Sequence, residues 1–254
     1  MKHIARKRFG QNFLSEPDII QSCIDAIRPQ PDDLMVEIGP GLGALTQPLL
    51  DRLNHLHVVE LDRDIVAWMQ GHYPSGQITI HPCDALKFEF AGLGHGLRVV
   101  GNLPYNISTP ILFHLLDNVA NITDMHFMLQ KEVVERMVAA PSTAEYGRLS
   151  VMLQYRLHME YLFTVPPEAF EPAPKVESAF VRALPWSTLP HPANNEALLA
   201  KIVTAAFSQR RKTLRNTLKG LLDDAGFVAL DIDPQLRAEN LGVREFVAIA
   251  NHLA

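Results

Sequence analysis

Between residues 34 and 130 the chain repeats one pattern: a short aliphatic, β-branched run, a turn, then residues with helical spacing. The runs cover 34–38, 56–61, 77–81, 97–101 and 125–129, and amphipathic stretches such as 44–53 and 109–116 lie between most of them. Strands separated by helices rejoin a sheet by crossovers, so the alternation predicts a parallel sheet with helices on both faces. Residues 144–158 read as another helix, and 160–165 and 178–184 as two further strands, an antiparallel pair at the sheet edge. That makes seven strands in a mostly parallel α/β sheet. The stretch LPWSTLPHPANN (184–195) concentrates prolines with small polar residues and reads as a linker. Beyond it the strand signal stops. Residues 197–207, 211–225 and 244–253 have helical spacing, with Gly220, Gly226 and Gly242 as breakers. The expected division is an α/β domain at 1–185 and a small all-α domain at 186–254.

Charge distribution carries more information than composition. A net charge of −5 argues against a nucleic-acid partner until the basic residues are located. Lys2, Arg6, Lys7 and Arg8 fall in the first 15 residues without an acid. Lys201, Arg210, Arg211, Lys212, Arg215 and Lys219 fall in 197–222, again without an acid. These two segments hold 10 of the 23 basic residues, leaving 13 against all 28 acids in the rest. Basic segments on an otherwise acidic body are the electrostatic footprint of a polyanion partner. Other classes fall away. No apolar run approaches the roughly 18 residues of a membrane span, and MKHIARKRFGQNF lacks the apolar core of a secretory signal. Two cysteines, Cys23 and Cys83, build neither a disulfide framework nor a four-cysteine zinc site. A cytoplasmic address with no membrane association is expected.

The first strand runs into EIGPGLG, with Gly39, Gly41 and Gly43 at a strand-to-helix junction, where glycine lets backbone turn tightly against a ligand. Glu60 closes the second strand, 21 residues after Gly39, at the position where an acid hydrogen-bonds ribose hydroxyls. Asp84 follows the third strand, suitably placed to accept from an adenine amine. These residues predict an adenosine-containing cofactor and leave both NAD and S-adenosylmethionine open. Glu37 favours the second, since an acid before the loop attracts a cationic methionyl group and repels a pyrophosphate.

After the fourth strand stands GNLPYNIS (101–108). Asn102-Leu103-Pro104-Tyr105 resembles the N/D-P-P-Y signature of methyltransferases acting on exocyclic adenine amines. Adenine N6 is a poor nucleophile because its lone pair is delocalised into the ring. Acceptors at the Asn102 side chain and the Leu103 carbonyl favour a pyramidal nitrogen with its lone pair aimed at the methyl group. Pro104 stiffens the turn, and Tyr105 offers a face for a flipped base. In VPPEAFEPAPKVES (165–178) four prolines surround Phe170, which reads as a rigid mount for an aromatic ring on the other face of that base.

Taken in order, RKRFGQNFL (6–14), VEIGPGLGALT (36–46), VELD (59–62), GNLPYNIS (101–108), LQKEVVERM (129–137), YGRLSV (146–151), FEPAPKVESA (170–179) and FSQRRKTLRN (207–216) resemble the bacterial 16S ribosomal RNA adenine dimethyltransferases, whose loss confers kasugamycin resistance. The resemblance covers nearly the whole chain. It implies a Rossmann-like class I methyltransferase fold and S-adenosylmethionine as cofactor. It further implies two methyl transfers to N6 of each of two adjacent adenosines in a hairpin loop near the 3′ end of 16S rRNA. The implied substrate is an immature 30S subunit, and the implied enzyme a cytoplasmic monomer. Cofactor contacts carry over to Asn12, Leu14, Gly39, Glu60, Asp84 and Asn102. Arg6, Lys7 and Arg8, with Arg210, Arg211, Lys212 and Arg215 within two turns of one helix, are then the expected RNA-binding residues.

Rival readings explain less. A DNA adenine methyltransferase shares the chemistry but not the match through the helical domain. An NAD-dependent dehydrogenase leaves NLPY unexplained. A non-catalytic ribosome-assembly or transcription-factor relative would keep only the fold and the basic face. His158-Met159-Glu160 spells the H-x-E of zinc deaminases, but Cys83 is not followed by the second cysteine of P-C-x-x-C.

Overall fold

The computed structural model describes residues 12–254. They begin with a two-residue strand, β1 (Phe13–Leu14), and a helix, α1 (Pro17–Ile27). Proline suits the first helical turn, whose N–H groups have no partner within the helix. The buried stripe Cys23, Ile24 and Ile27 holds the helix on the core. The alternating region follows as β2 (Met35–Ile38), α2 (Thr46–Leu50), β3 (Leu56–Val59), α3 (Arg63–His72), β4 (Ile78–His81), β5 (Leu97–Asn102), α4 (Ser108–Asp117) and β6 (Ile122–Gln130). After it come α5 (Lys131–Val138), α6 (Arg148–Arg156), β7 (Leu157–Val165), β8 (Phe170–Glu171) and β9 (Ser178–Pro185).

Among the described residues one sheet has seven strands in the order β4-β3-β2-β5-β6-β9-β7. From β4 to β6 neighbouring strands are parallel, and β9 is antiparallel to β6. All four residues of β2 are buried, as a central strand covered on both faces requires. The order reverses between β2 and β5, so their following loops diverge and leave a crevice at the carboxyl ends, where open α/β sheets bind ligands. A second, two-stranded ladder pairs β1 with β8, Leu14 opposite Phe170. No helix among the described residues is long and apolar enough to cross a membrane.

The chain forms two compact units. Among the described residues, one comprises residues 12–134 together with Glu160–Pro185; the other comprises Glu135–Met159 and Trp186–Ala254. The division differs from the expected 1–185 and 186–254, because 135–159, including α6, belongs with the C-terminal helices. In that second unit α6 joins α7 (Glu196–Ala206), α8 (Leu214–Thr217), α9 (Asp224–Ala229) and α10 (Val243–His252) around buried Val151, Ile202, Leu218, Phe227 and Phe246. The continuous helix expected over 211–225 is absent. Leu214, Leu218 and Leu222 are all buried, so their four-residue spacing mimics one helix. Gly220 instead takes a left-handed conformation (φ 83°), and the Asp223 carboxylate accepts from Gly226 N–H at 2.8 Å to begin a new helix.

Within the first unit, Arg98 of β5 bridges Asp33 (2.5 Å) and Asp124 of β6 (2.9 Å). Beside them His126 is buried with both ring nitrogens lacking a hydrogen-bond partner; its Nδ1 is 3.7 Å from Asp124. Burial pushes its pKa down to about 4, outweighing the opposing Asp124 charge. The unfolded chain therefore binds a proton at His126 that the folded chain refuses. This stability term is intact above about pH 6.5 and is lost as pH falls towards 4, roughly 3 kcal/mol in all. Unfolding measured between pH 7 and 4.5 should show a shallower loss of stability in His126→Phe than in the unsubstituted protein; equal slopes would contradict the assignment.

Candidate active site at the carboxyl edge of the sheet

β2 ends against β3, where Gly39 N–H donates to the Val59 carbonyl at 2.9 Å, and the chain then turns through the glycine loop. Gly39, Gly41 and Gly43 all have positive φ. Gly43 is the most constrained: at φ 83°, an added Cβ would also lie 2.4 Å from the Tyr73 hydroxyl. Beyond the loop Thr46 opens α2, and its hydroxyl donates to the buried Glu37 carboxyl at 2.6 Å. Neighbouring strand ends supply two further acids. Glu60 follows β3 and accepts from Asp62 N–H at 2.7 Å, while Asp84 follows β4 and accepts from Leu86 N–H at 3.0 Å.

β5 delivers Asn102 to the same edge. The Asn102 side-chain Nδ2 donates to the Asn12 carbonyl at 3.0 Å. That bond orients the amide, since nitrogen must face Asn12 and the acceptor Oδ1 points away from it. Leu103 N–H donates to Met128 on β6 at 3.1 Å, so the turn is pinned to the neighbouring strand. Pro104 lies close to the glycine loop: a Cβ on Gly39 would be 3.8 Å from the proline ring. Tyr105 is half-buried, its hydroxyl 2.6 Å from Ser178 Oγ.

All these groups border one cavity of about 1140 Å³. Asn12, Leu14, Glu37, Gly39, Gly41, Gly43, Glu60, Asp84 and Asn102 line it, together with Leu103, Pro104 and Tyr105. The cavity is thus bordered by the ends of β2, β3, β4 and β5 and by β1, and it is acidic on its glycine-loop side. Burial pushes Glu37 up to about 7 against the stabilising bond from Thr46, with the Glu60 charge adding to the rise. Burial likewise raises Glu60, opposed by backbone N–H groups of Asp62, Leu61 and Gly41. Glu37, held near neutrality, is poised to ionise when a cation arrives, and Glu60 is raised in the same direction.

One expected site residue is elsewhere. Phe170 is 3% exposed, packed in the core and not part of the cavity wall. Its place in β8 explains why. Side chains alternate across a ladder, so Phe170, opposite Leu14, faces inward, while Glu171 and the following Pro172 reach the cavity. The expected basic helix face also dissolves: Arg210, Arg211 and Lys212 lie in the turn before α8, and Arg215 lies on that short helix. All four are exposed, with Arg210 donating to the Ala144 carbonyl and lying 3.5 Å from Glu239, and Arg215 2.9 Å from Asp224. Arg6, Lys7 and Arg8 lie outside the described residues. Among the cavity residues that went unread in the sequence are Phe13, which reaches the site through the β1–β8 ladder, Trp68 on α3, and Pro172.

A Rossmann-like sheet with a glycine loop, acids at successive strand ends and an N-L-P-Y turn in one cavity defines a class I methyltransferase. Over residues 2–254 the chain matches the family model for ribosomal RNA adenine dimethylases. It is 78% identical, over the full length of both chains, to the ribosomal RNA small subunit methyltransferase A of Methylobacillus flagellatus. It is 63% identical to the protein of that name from Thiobacillus denitrificans, across 99% of each chain. Among solved structures it resembles a dimethyladenosine transferase from Plasmodium falciparum (TM-score 0.79, 23% identity, 93% of this chain and 95% of that one). It also resembles the 23S rRNA methyltransferase ErmE (TM-score 0.76, 20% identity, 95% and 99%). The chain belongs to the ribosomal RNA adenine dimethylase family.

Proposed function

We propose that this cavity binds S-adenosylmethionine beside an adenine taken from small-subunit ribosomal RNA, and that the protein converts the adenine N6 to its dimethyl form. The carrying observation is the oriented Asn102 amide, fixed by Asn12 in the same cavity as Glu37, Glu60 and Asp84. The residues suit the cofactor. Glu60 retains acceptor capacity for ribose hydroxyls beyond its Asp62 bond, Asp84 for an adenine amine, and Glu37 meets a positive charge. When bound, S-adenosylmethionine supplies a methyl group on a cationic sulfur. The protein contributes positioning and electrostatics, and proximity alone is worth about 7–11 kcal/mol. Asn102 Oδ1 accepts an N6–H bond and draws the nitrogen towards a pyramidal shape. Tyr105 stacks the base. The labelled methyl group of S-adenosylmethionine should therefore pass to under-methylated small subunits; transfer to free nucleoside or DNA alone would contradict this reading.

The same reading takes the substrate as two adjacent adenosines in a hairpin loop near the 3′ end of 16S rRNA, presented by an immature 30S subunit to a cytoplasmic monomer. Loop adenosines are unstacked at low cost, and the neighbouring backbone is held by cations. Arg211 and Lys212, exposed beside the committed Arg210 and Arg215, are the strongest candidates for that grip. Arg211→Ala with Lys212→Ala should weaken subunit binding and flatten the log–log salt dependence by about 1.5 units, with cofactor affinity unchanged. An unchanged salt slope would remove this turn from the interface.

Glu60→Ala should weaken S-adenosylmethionine binding by about 1.5–3 kcal/mol, the range for losing hydrogen bonds to a charged group. Calorimetry on the folded variant decides it, and wild-type affinity would exclude Glu60 from the cofactor site.

A further inference from the structure

We propose that Ser178 is a positioning residue for methyl transfer, fixing the Tyr105 ring in the orientation that stacks the target base. This rests on the reading of Tyr105 as the stacking surface. The Ser178 side chain is fully buried, and its Oγ lies 2.6 Å from the Tyr105 hydroxyl. Ser178 itself has little freedom. It is the first residue of β9, paired with Gln130 of β6, and the preceding Glu177 carbonyl accepts from Lys131 N–H at 3.0 Å. The Lys131 Nζ also donates to the Glu177 carboxylate at 2.8 Å.

Tyr105 is held at its other end as well. Ser108, at the start of α4, donates to the Pro104 and Tyr105 carbonyls at 3.1 and 3.3 Å. A tyrosine ring turns about two torsions, and the outer one has a broad energy well. Fixing the backbone at one end and the hydroxyl at the other removes most of that freedom, while Tyr105 still borders the cavity. Burial raises the phenol pKa, so it remains a neutral hydrogen-bonding group at ordinary pH. Because stacking depends on the ring plane, loss of the anchor misplaces the base at N6, where small errors are costly to rate.

The test is a double-mutant cycle read as single-turnover transfer of labelled methyl from S-adenosylmethionine to under-methylated small subunits. Ser178→Ala should slow transfer about tenfold, with cofactor and subunit binding unchanged. Tyr105→Phe, which keeps the ring and loses the anchor, should slow it by the same factor, and the double variant no further. A wild-type rate in Ser178→Ala, or penalties that multiply in the double variant, would overturn the inference. Should Ser178→Ala fail to fold, a wild-type rate in Tyr105→Phe overturns it equally. Tyr105→Ala separates the two readings: if it transfers at the wild-type rate, stacking on Tyr105 is wrong and positioning falls with it. If it is inactive while Ser178→Ala is normal, only the positioning role is lost.

Discussion

Asn102→Ala should lower the single-turnover rate of methyl transfer by about 10²–10³, with small-subunit binding close to normal. The separation follows from where the bond gains strength. Oδ1 is aimed by the Nδ2 bond to the Asn12 carbonyl, so the acceptor is in place before the base arrives. As N6 attacks, it becomes more positive and its remaining hydrogens more acidic, so the bond strengthens towards the transition state. Removing a preorganised group of this kind typically costs about 2.7–4 kcal/mol of barrier. Some loss of cofactor affinity should accompany it, since Asn102 and Glu37 share the cavity. Asn102→Asp keeps the size but replaces the amide donor towards Asn12 with an acceptor, so it should recover little activity. A full single-turnover rate in Asn102→Ala would remove the amide from the chemistry.

Gly101→Ala is the second large effect, and its cause is packing. An added Cβ on Gly101 would stand 2.5 Å from the Ile38 carbonyl oxygen and 3.1 Å from Leu103 Cδ2. The first of these is backbone of β2 and cannot rotate away. Either β2 or β5 must shift, at about 1–3 kcal/mol for overpacking of this kind. The shift falls where it matters most, because Ile38 leads into the glycine loop and Gly101 precedes Asn102. The variant should show a lower unfolding midpoint and lose methyl transfer well beyond what its folded fraction explains. Wild-type stability and rate together would mean that the two strand ends are not held as closely as the structure has them.

The contrast between these two glycine regions indicates what the sequence made legible. The loop at 39–43 and the acids Glu60 and Asp84 each sit at the end of a strand, so the local pattern placed them on one edge before any tertiary contact was known. Gly101 sits in the quoted GNLPYNIS motif, but its close approach to Ile38 depends on parallel pairing of β2 with β5 and has no local signature. Phe170 shows the same limit with a worse outcome. Its prolines suggested a presented ring, yet the ladder with Leu14 turns it into the core. The spacing of Leu214, Leu218 and Leu222 misled, because a buried turn can present the same period as a helix, and α1 with its buried Cys23, Ile24 and Ile27 went unread altogether. The grouping of 135–159 with the C-terminal helices is likewise a tertiary fact, invisible to a reading that seeks one boundary at a proline-rich linker.

On the proposed reading one cavity carries both the methyl donor and an adenine N6 through two successive transfers. The direct measurement is mass spectrometry of nuclease-digested ribosomal RNA from under-methylated small subunits incubated with the enzyme and S-adenosylmethionine. N6,N6-dimethyladenosine should be the final product, with Asn102→Ala leaving adenosine almost unmodified. A product that stops at monomethyladenosine, or methylation at any position other than adenine N6, would contradict it.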